Sequence, residues 1–211
     1  MFHLKIYSVV LLVFFCNCKG DSQRIDSCES AYKNARINYN QYFRNNQEQL
    51  LNNALLAIDQ AMQCEKLRLK AVDLKVSLLI LLKNYERGYK FIDSLNENDF
   101  NKKYKKSMDY NYFLALSYES KGDTVSRNRF LSKIVNDIGN YIRQEESRFG
   151  KIDEETYYDL FIVKSRFTTK SQIKFEIDSL KSIHPTEKEF LDAVESTVNH
   201  DSSVVEATTN D

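Results

Sequence analysis

A chain of 211 residues with 42% hydrophobic content is long enough to bury a sizeable core, and its size sets one domain as the expectation. Five glycines and a single proline are too few for a turn-rich β architecture, so the composition points to helices, which disfavour both residues. Lys and Arg balance Asp and Glu at 30 each, and without a basic excess a nucleic-acid binder is disfavoured.

The chain opens with one positive charge, Lys5, followed by an apolar run from Ile6 to Phe15. That run is about half of the roughly 20 residues needed to cross a bilayer as a helix. A positive start and a short apolar centre predict a secretory signal peptide over 1–17. The stretch Phe15-Cys16-Asn17-Cys18 resembles the lipobox of bacterial lipoproteins, in which the final cysteine is lipidated on sulfur and becomes the new N-terminus. Cys18 is the expected acceptor, because choosing Cys16 would place Phe14 and Phe15 where the pattern prefers small residues. Asn17 departs from the usual Gly, Ala or Ser before the cut, which leaves an ordinary cleaved signal or an uncleaved anchor as alternatives. Losing Lys5 with the signal takes the formal charge from 0 to −1.

After a tether expected over 18–26, helical periodicity runs almost without interruption through a domain spanning 27–198. Leu51, Ala54, Leu55, Ile58, Ala61 and Met62 form one apolar stripe, and Leu131, Ile134, Val135, Ile138 and Ile142 form another. Asp26-Ser-Cys-Glu29 and Thr186-Glu-Lys-Glu189 have the spacing of capping boxes, the second beside Pro185. The pattern predicts about nine helices joined by short polar turns, with no convincing strand. Residues 199–211, rich in Ser, Thr and acids, are expected to be a disordered tail.

Ala54-x3-Ile58-x2-Ala61 recurs as Gly88-x3-Ile92-x2-Leu95 after 34 residues, since 88 − 54 and 92 − 58 agree. That is the period of tetratricopeptide repeats (TPRs), stackable pairs of antiparallel helices. Lys83-Asn-Tyr-Glu-Arg-Gly-Tyr-Lys-Phe-Ile92 resembles the turn and second helix of that family, with Gly88 at its small-residue position. Leu114-Ala115-x2-Tyr118, followed by Gly122-Asp123, is similar to the family's first helix and the turn after it, and Ile173-x3-Ile177-x2-Leu180 is a fourth candidate. The resemblance covers roughly residues 28–185 and is degenerate. Trp is absent, Val76 and Phe161 stand where Gly or Ala is usual, Arg127 replaces a small residue, and the spacing stretches to 39 and then 46 residues. The resemblance implies a short all-α solenoid of stacked helix hairpins with a concave face for a peptide or a partner's helix. A helical bundle with an accidental 34-residue period is the alternative.

If the first hairpin turns near Asn45 and Asn46, Cys28 and Cys64 lie 18 residues to either side of residue 46 and come level at its open end. Secretion makes the compartment oxidising, so a Cys28–Cys64 disulfide is expected, with two unrelated buried thiols as the alternative.

Chemistry-bearing patterns are few. His3 leaves with the signal, and His184 and His200 belong to no cluster with metal-ligand spacing. Glu145-Glu146 and Asp153-Glu154-Glu155 are sequence neighbours that diverge on a helix, so they are expected as solvated faces or helix starts. No glycine-rich phosphate loop or G-x-S-x-G elbow occurs. No catalytic residue, metal or cofactor is therefore assigned. Two features suit a partner instead. Lys102, Lys103, Lys105 and Lys106 surround Tyr104 and could meet anionic headgroups or an acidic protein, or form an ordinary soluble insertion. Tyr110 and Tyr112 are groove candidates, although they and Phe113 cannot all face one way.

The sequence thus describes a non-enzymatic, lipid-anchored protein of the bacterial cell envelope. The outer membrane is favoured, with the protein facing periplasm or cell surface, and a protein or peptide is the expected partner. An envelope enzyme or accessory subunit with a site built from scattered residues, and a passive structural lipoprotein, are the competing classes.

Overall fold

The computed structural model describes the backbone of residues 18–149 and 153–207 and the side chains of 27–148 and 153–199. The expected signal peptide, the Cys18 side chain and the His200 side chain lie outside the described residues. The fold is all-α. Nine α-helices and three short 3₁₀ turns make up the described residues, with no strand among them. Two compact units divide the chain: Met1–Asn84 with Asn98–Asn101, and Tyr85–Glu97 with Lys102–Asp211.

The first unit contains α1 (Cys18–Asn45), α2 (Glu48–Ala61) and α3 (Arg68–Leu81). Its first hairpin reverses at Asn46, which has a φ of 50°, a left-handed conformation that asparagine tolerates better than most residues. Cys28, Ala31 and Ala35 on α1 and Leu51, Ala54, Leu55, Ile58 and Ala61 on α2 are the buried stripes of this pair. The alanines let the two backbones approach closely. At the open end Cys28 and Cys64 form the expected disulfide, with their Cα atoms 6.2 Å apart. On α3, Ala71, Val72, Val76, Leu78 and Leu79 are buried. Arg68, at the start of that helix, holds the buried Asp99 with two hydrogen bonds, Nε to Oδ1 and Nη2 to Oδ2, the second 3.1 Å long.

The second unit contains α4 (Tyr85–Asp93), α5 (Lys105–Glu119), α6 (Thr124–Phe149), α7 (Glu154–Ser165), α8 (Lys170–Ile183) and α9 (Lys188–Ala207). Gly122, at a φ of 75°, makes the turn between α5 and α6 that no β-carbon would favour. Asp123 then accepts a hydrogen bond from the Ser126 amide at 2.9 Å, which caps α6. The core is continuous from Leu131, Ile134 and Ile138 of α6 through Phe161 of α7 and Ile173 and Ile177 of α8 to Leu191, Val194 and Val198 of α9.

Several local expectations change. Asp26 lies inside α1 and starts no helix, and the backbone is helical from Cys18, through the stretch expected as a tether. Only Gly20 disfavours helix there, and one glycine costs about 1 kcal/mol. Thr186 lies within the 3₁₀ turn Pro185–Glu187, and the capping box is formed instead by Thr169 and Gln172 at the start of α8. From Thr186 onward neither Gly nor Pro interrupts the chain, and α9 continues to Ala207 into the expected tail.

Candidate binding groove

Three of the four clustered lysines, Lys102, Lys105 and Lys106, are half-buried and bonded to neighbouring groups. Lys102 reaches Asp153 Oδ1 at 2.7 Å, Glu155 Oε2 at 2.9 Å and Thr156 Oγ1 at 3.2 Å. Lys105 pairs with Asp159 at 2.7 Å and Glu155 at 3.5 Å, and Lys106 donates to the Leu95 carbonyl at 2.5 Å. Tyr104, buried between them, donates to Asp159 Oδ2 at 2.7 Å. Of the four lysines Lys103 is the exposed one. Lys102 and Lys105 form an ion-pair network with Asp153, Glu155 and Asp159, and Asp153 and Glu155 stand at the start of α7, one of the two placements expected for them. The pairing spans about fifty residues of chain, and local charge patterning carries no trace of it. Tyr110 is half-buried with its ring edge-on to Tyr89 at 6.1 Å, and Tyr112 packs against the second unit's core. Both belong to packing within the second unit. His184 is half-buried at the end of α8.

Burial drives the Asp153 carboxyl upward, but hydrogen bonds from Lys102 and Thr156 outweigh it and leave the group below its ordinary value. Burial lowers the Lys102 ammonium, and its bonds to Asp153 and Glu155 more than reverse this, so it ends raised. The depressed Asp153 stabilises the fold above its unfolded pKa of about 3.9, and this contribution disappears as pH falls through the folded value. The raised Lys102 contributes fully below its unfolded pKa of about 10.4 and is lost as pH rises through its folded value. We therefore expect Lys102→Met to lower the urea midpoint near neutral pH, with the difference from wild type shrinking below about pH 4. Urea titrations across that range check this, and a pH-independent difference would contradict the network's role.

An open cleft of about 470 Å³ lies elsewhere in the second unit, among α6, α7 and α8. Val135 and Ile142 from α6, Leu160 from α7 and Leu180 from α8 give it an apolar lining. Gly139 leaves a gap in the α6 wall, and Phe175 of α8 stands at the mouth with 76% of its surface exposed. A second, shallower depression of about 590 Å³, bordered by Phe167, Thr168, Ser171 and Gln172, shares Phe175 and Glu176 with the first. Two of the charged groups in the cleft are already paired, Lys164 with Glu176. Tyr157 donates its hydroxyl to Glu146, and burial holds that hydroxyl far above its ordinary pKa, so it stays a donor. Arg143 Nη2 donates to the Asn140 side-chain oxygen at 2.6 Å.

None of these lining residues was named as a candidate site residue from sequence; Val135, Ile142 and Leu180 entered only as parts of apolar stripes. Phe175 carried a usable signal: it lies two positions from both Ile173 and Ile177 and so falls off the buried stripe of α8. The carboxyls that depart clearly from ordinary values, Glu86, Asp123, Asp153, Asp192 and Glu195, all shift downward. None of these five is a carboxyl held protonated near neutral pH, as a general acid needs to be. Among the described residues no group of three or more His, Cys, Asp or Glu is placed to hold a metal ion. No described helix is long and apolar enough to cross a membrane. Compared with protein-family models, curated proteins and solved structures, the chain matches none.

Proposed function

We propose that this chain is a lipid-anchored protein of the bacterial cell envelope that acts as a protein-binding or scaffolding module. Cys18 is its acylation site, and its helix hairpins supply a repeat-like surface related to TPR stacks. The observation that carries the binding role is the open cleft of the second unit, an apolar lining beneath a phenylalanine that is 76% exposed. The Cys28–Cys64 disulfide supports an extracytoplasmic location, because such bonds persist in oxidising compartments.

The test is co-purification of the C-terminally tagged full chain from detergent-extracted membranes, with mass spectrometry of what remains bound. A stoichiometric protein partner is expected, and recovery of the protein alone would overturn the scaffold role. In the same cells an alkyne fatty acid should label wild type and Cys16→Ala but not Cys18→Ala. Label retained on Cys18→Ala would overturn the assigned anchor.

A further inference from the structure

Gly139 occupies the middle of α6, where a glycine costs about 1 kcal/mol relative to alanine. Packing against a neighbouring helix does not explain it. A β-carbon there would meet only Arg143 Nη1, the far end of a flexible side chain, at 3.6 Å. Gly88 is the opposite case, since the Phe113 ring fills the space its side chain would take. The structural effect of Gly139 is therefore room, and that room opens into the cleft beside Arg143.

The groove also has a length. Ser171 and Gln172, Phe175 and Glu176, and Ser179 and Leu180 line the two depressions at four-residue intervals, one face of α8. Nine steps of 1.5 Å, from 171 to 180, make this about 14 Å, or about two and a half helical turns. An extended peptide would gain affinity from an open sheet edge, and no strand is present among the described residues. A helix brings its own backbone bonds satisfied and needs only side-chain pockets and a gap for close approach.

The charges then select the occupant. Glu176 is paired with Lys164, and Glu146 accepts from Tyr157. Arg143 has a neutral amide oxygen as its partner and lies toward Gly139, one turn before Glu146. On the binding-module reading given above, we infer that this groove takes an amphipathic helix of a partner protein, with about two and a half turns in contact. Its apolar side chains seat on either side of Phe175, and an acidic residue meets Arg143 at the Gly139 gap.

The probe is a random dodecapeptide library displayed on phage and selected against the full tagged chain in detergent micelles. Enriched peptides should share apolar residues three or four positions apart and an acidic residue. Phe175→Ser and Arg143→Glu should each weaken a synthesised peptide by about tenfold or more, and Gly139→Leu should do the same by filling the gap. Changing the peptide's acid to Lys should restore binding to Arg143→Glu. All three residues line the cleft, and unchanged circular dichroism with melting no lower than wild type keeps the comparison free of folding effects. Enriched peptides that are basic, or that bind these variants as tightly as wild type, overturn the groove assignment while leaving the binding-module reading standing. No enrichment at all also overturns the inference, and co-purification then decides that reading separately.

Discussion

Reduction of the Cys28–Cys64 disulfide is expected to destabilise the first unit by about 4 kcal/mol, from the chain-entropy value for a bond closing a loop of this size. The bond joins residues 36 apart, and opening it frees the whole α1–α2 hairpin in the unfolded ensemble. Small domains have about 5–15 kcal/mol of total stability, so such a loss is large. The hairpin is poorly placed to absorb it. Three of its buried positions on α1 are Cys28, Ala31 and Ala35, which offer little apolar surface compared with leucine or isoleucine. The measurement is urea unfolding with and without reductant, repeated on the Cys28→Ala/Cys64→Ala double variant. A loss under about 1 kcal/mol in both would show that helix packing alone holds the hairpin.

The second large effect is expected at Gly88. A β-carbon there would stand 2.6 Å from Cζ of Phe113 and closer still to Cε1 and Cδ1. Phe113 is fully buried on α5, and its ring has no solvent side to move toward. Gly88→Ala gains about 1 kcal/mol in helix propensity and loses about 3 kcal/mol to overpacking at so close an approach, for a net destabilisation of about 2 kcal/mol. Phe113→Leu should itself cost about 1–2 kcal/mol but should recover much of the loss when combined with Gly88→Ala, because the smaller side chain vacates the contested volume. A double-mutant cycle in urea measures this coupling. Additive effects would mean that the close approach of α4 to α5 contributes nothing to stability.

Both predictions rest on features visible in the sequence before any coordinates. The 34-residue spacing marked Gly88 as a small-residue position, and the structure supplies the reason, a phenylalanine pressed against its α-carbon. Cys28 and Cys64 were paired by counting outward from a turn at Asn46, and that turn forms there because α1 ends at Asn45 and asparagine accepts the left-handed backbone. The apolar stripes of α2 and α6 were equally legible, since a period of three to four residues follows from helix geometry whatever the helix later packs against.

The candidate site was not legible in the same way. Four clustered lysines look like a surface patch when their carboxylates lie about fifty residues away, and Lys102 and Lys105 are bound to the start of α7. Tyr110 and Tyr112 went into packing, while Phe175, unremarkable between two lysine-bearing turns, stands exposed at the mouth of a cleft.

By itself the sequence determined the all-α class, the position of the first hairpin turn, the disulfide and most of the buried stripes. These depend on backbone geometry and on residues close together in the chain. Tertiary structure alone decided the division into two units, the ion pairing of Lys102 and Lys105 and the groove among α6, α7 and α8. Those depend on which helix faces meet, and that choice is made by burial and charge pairing between segments far apart in sequence.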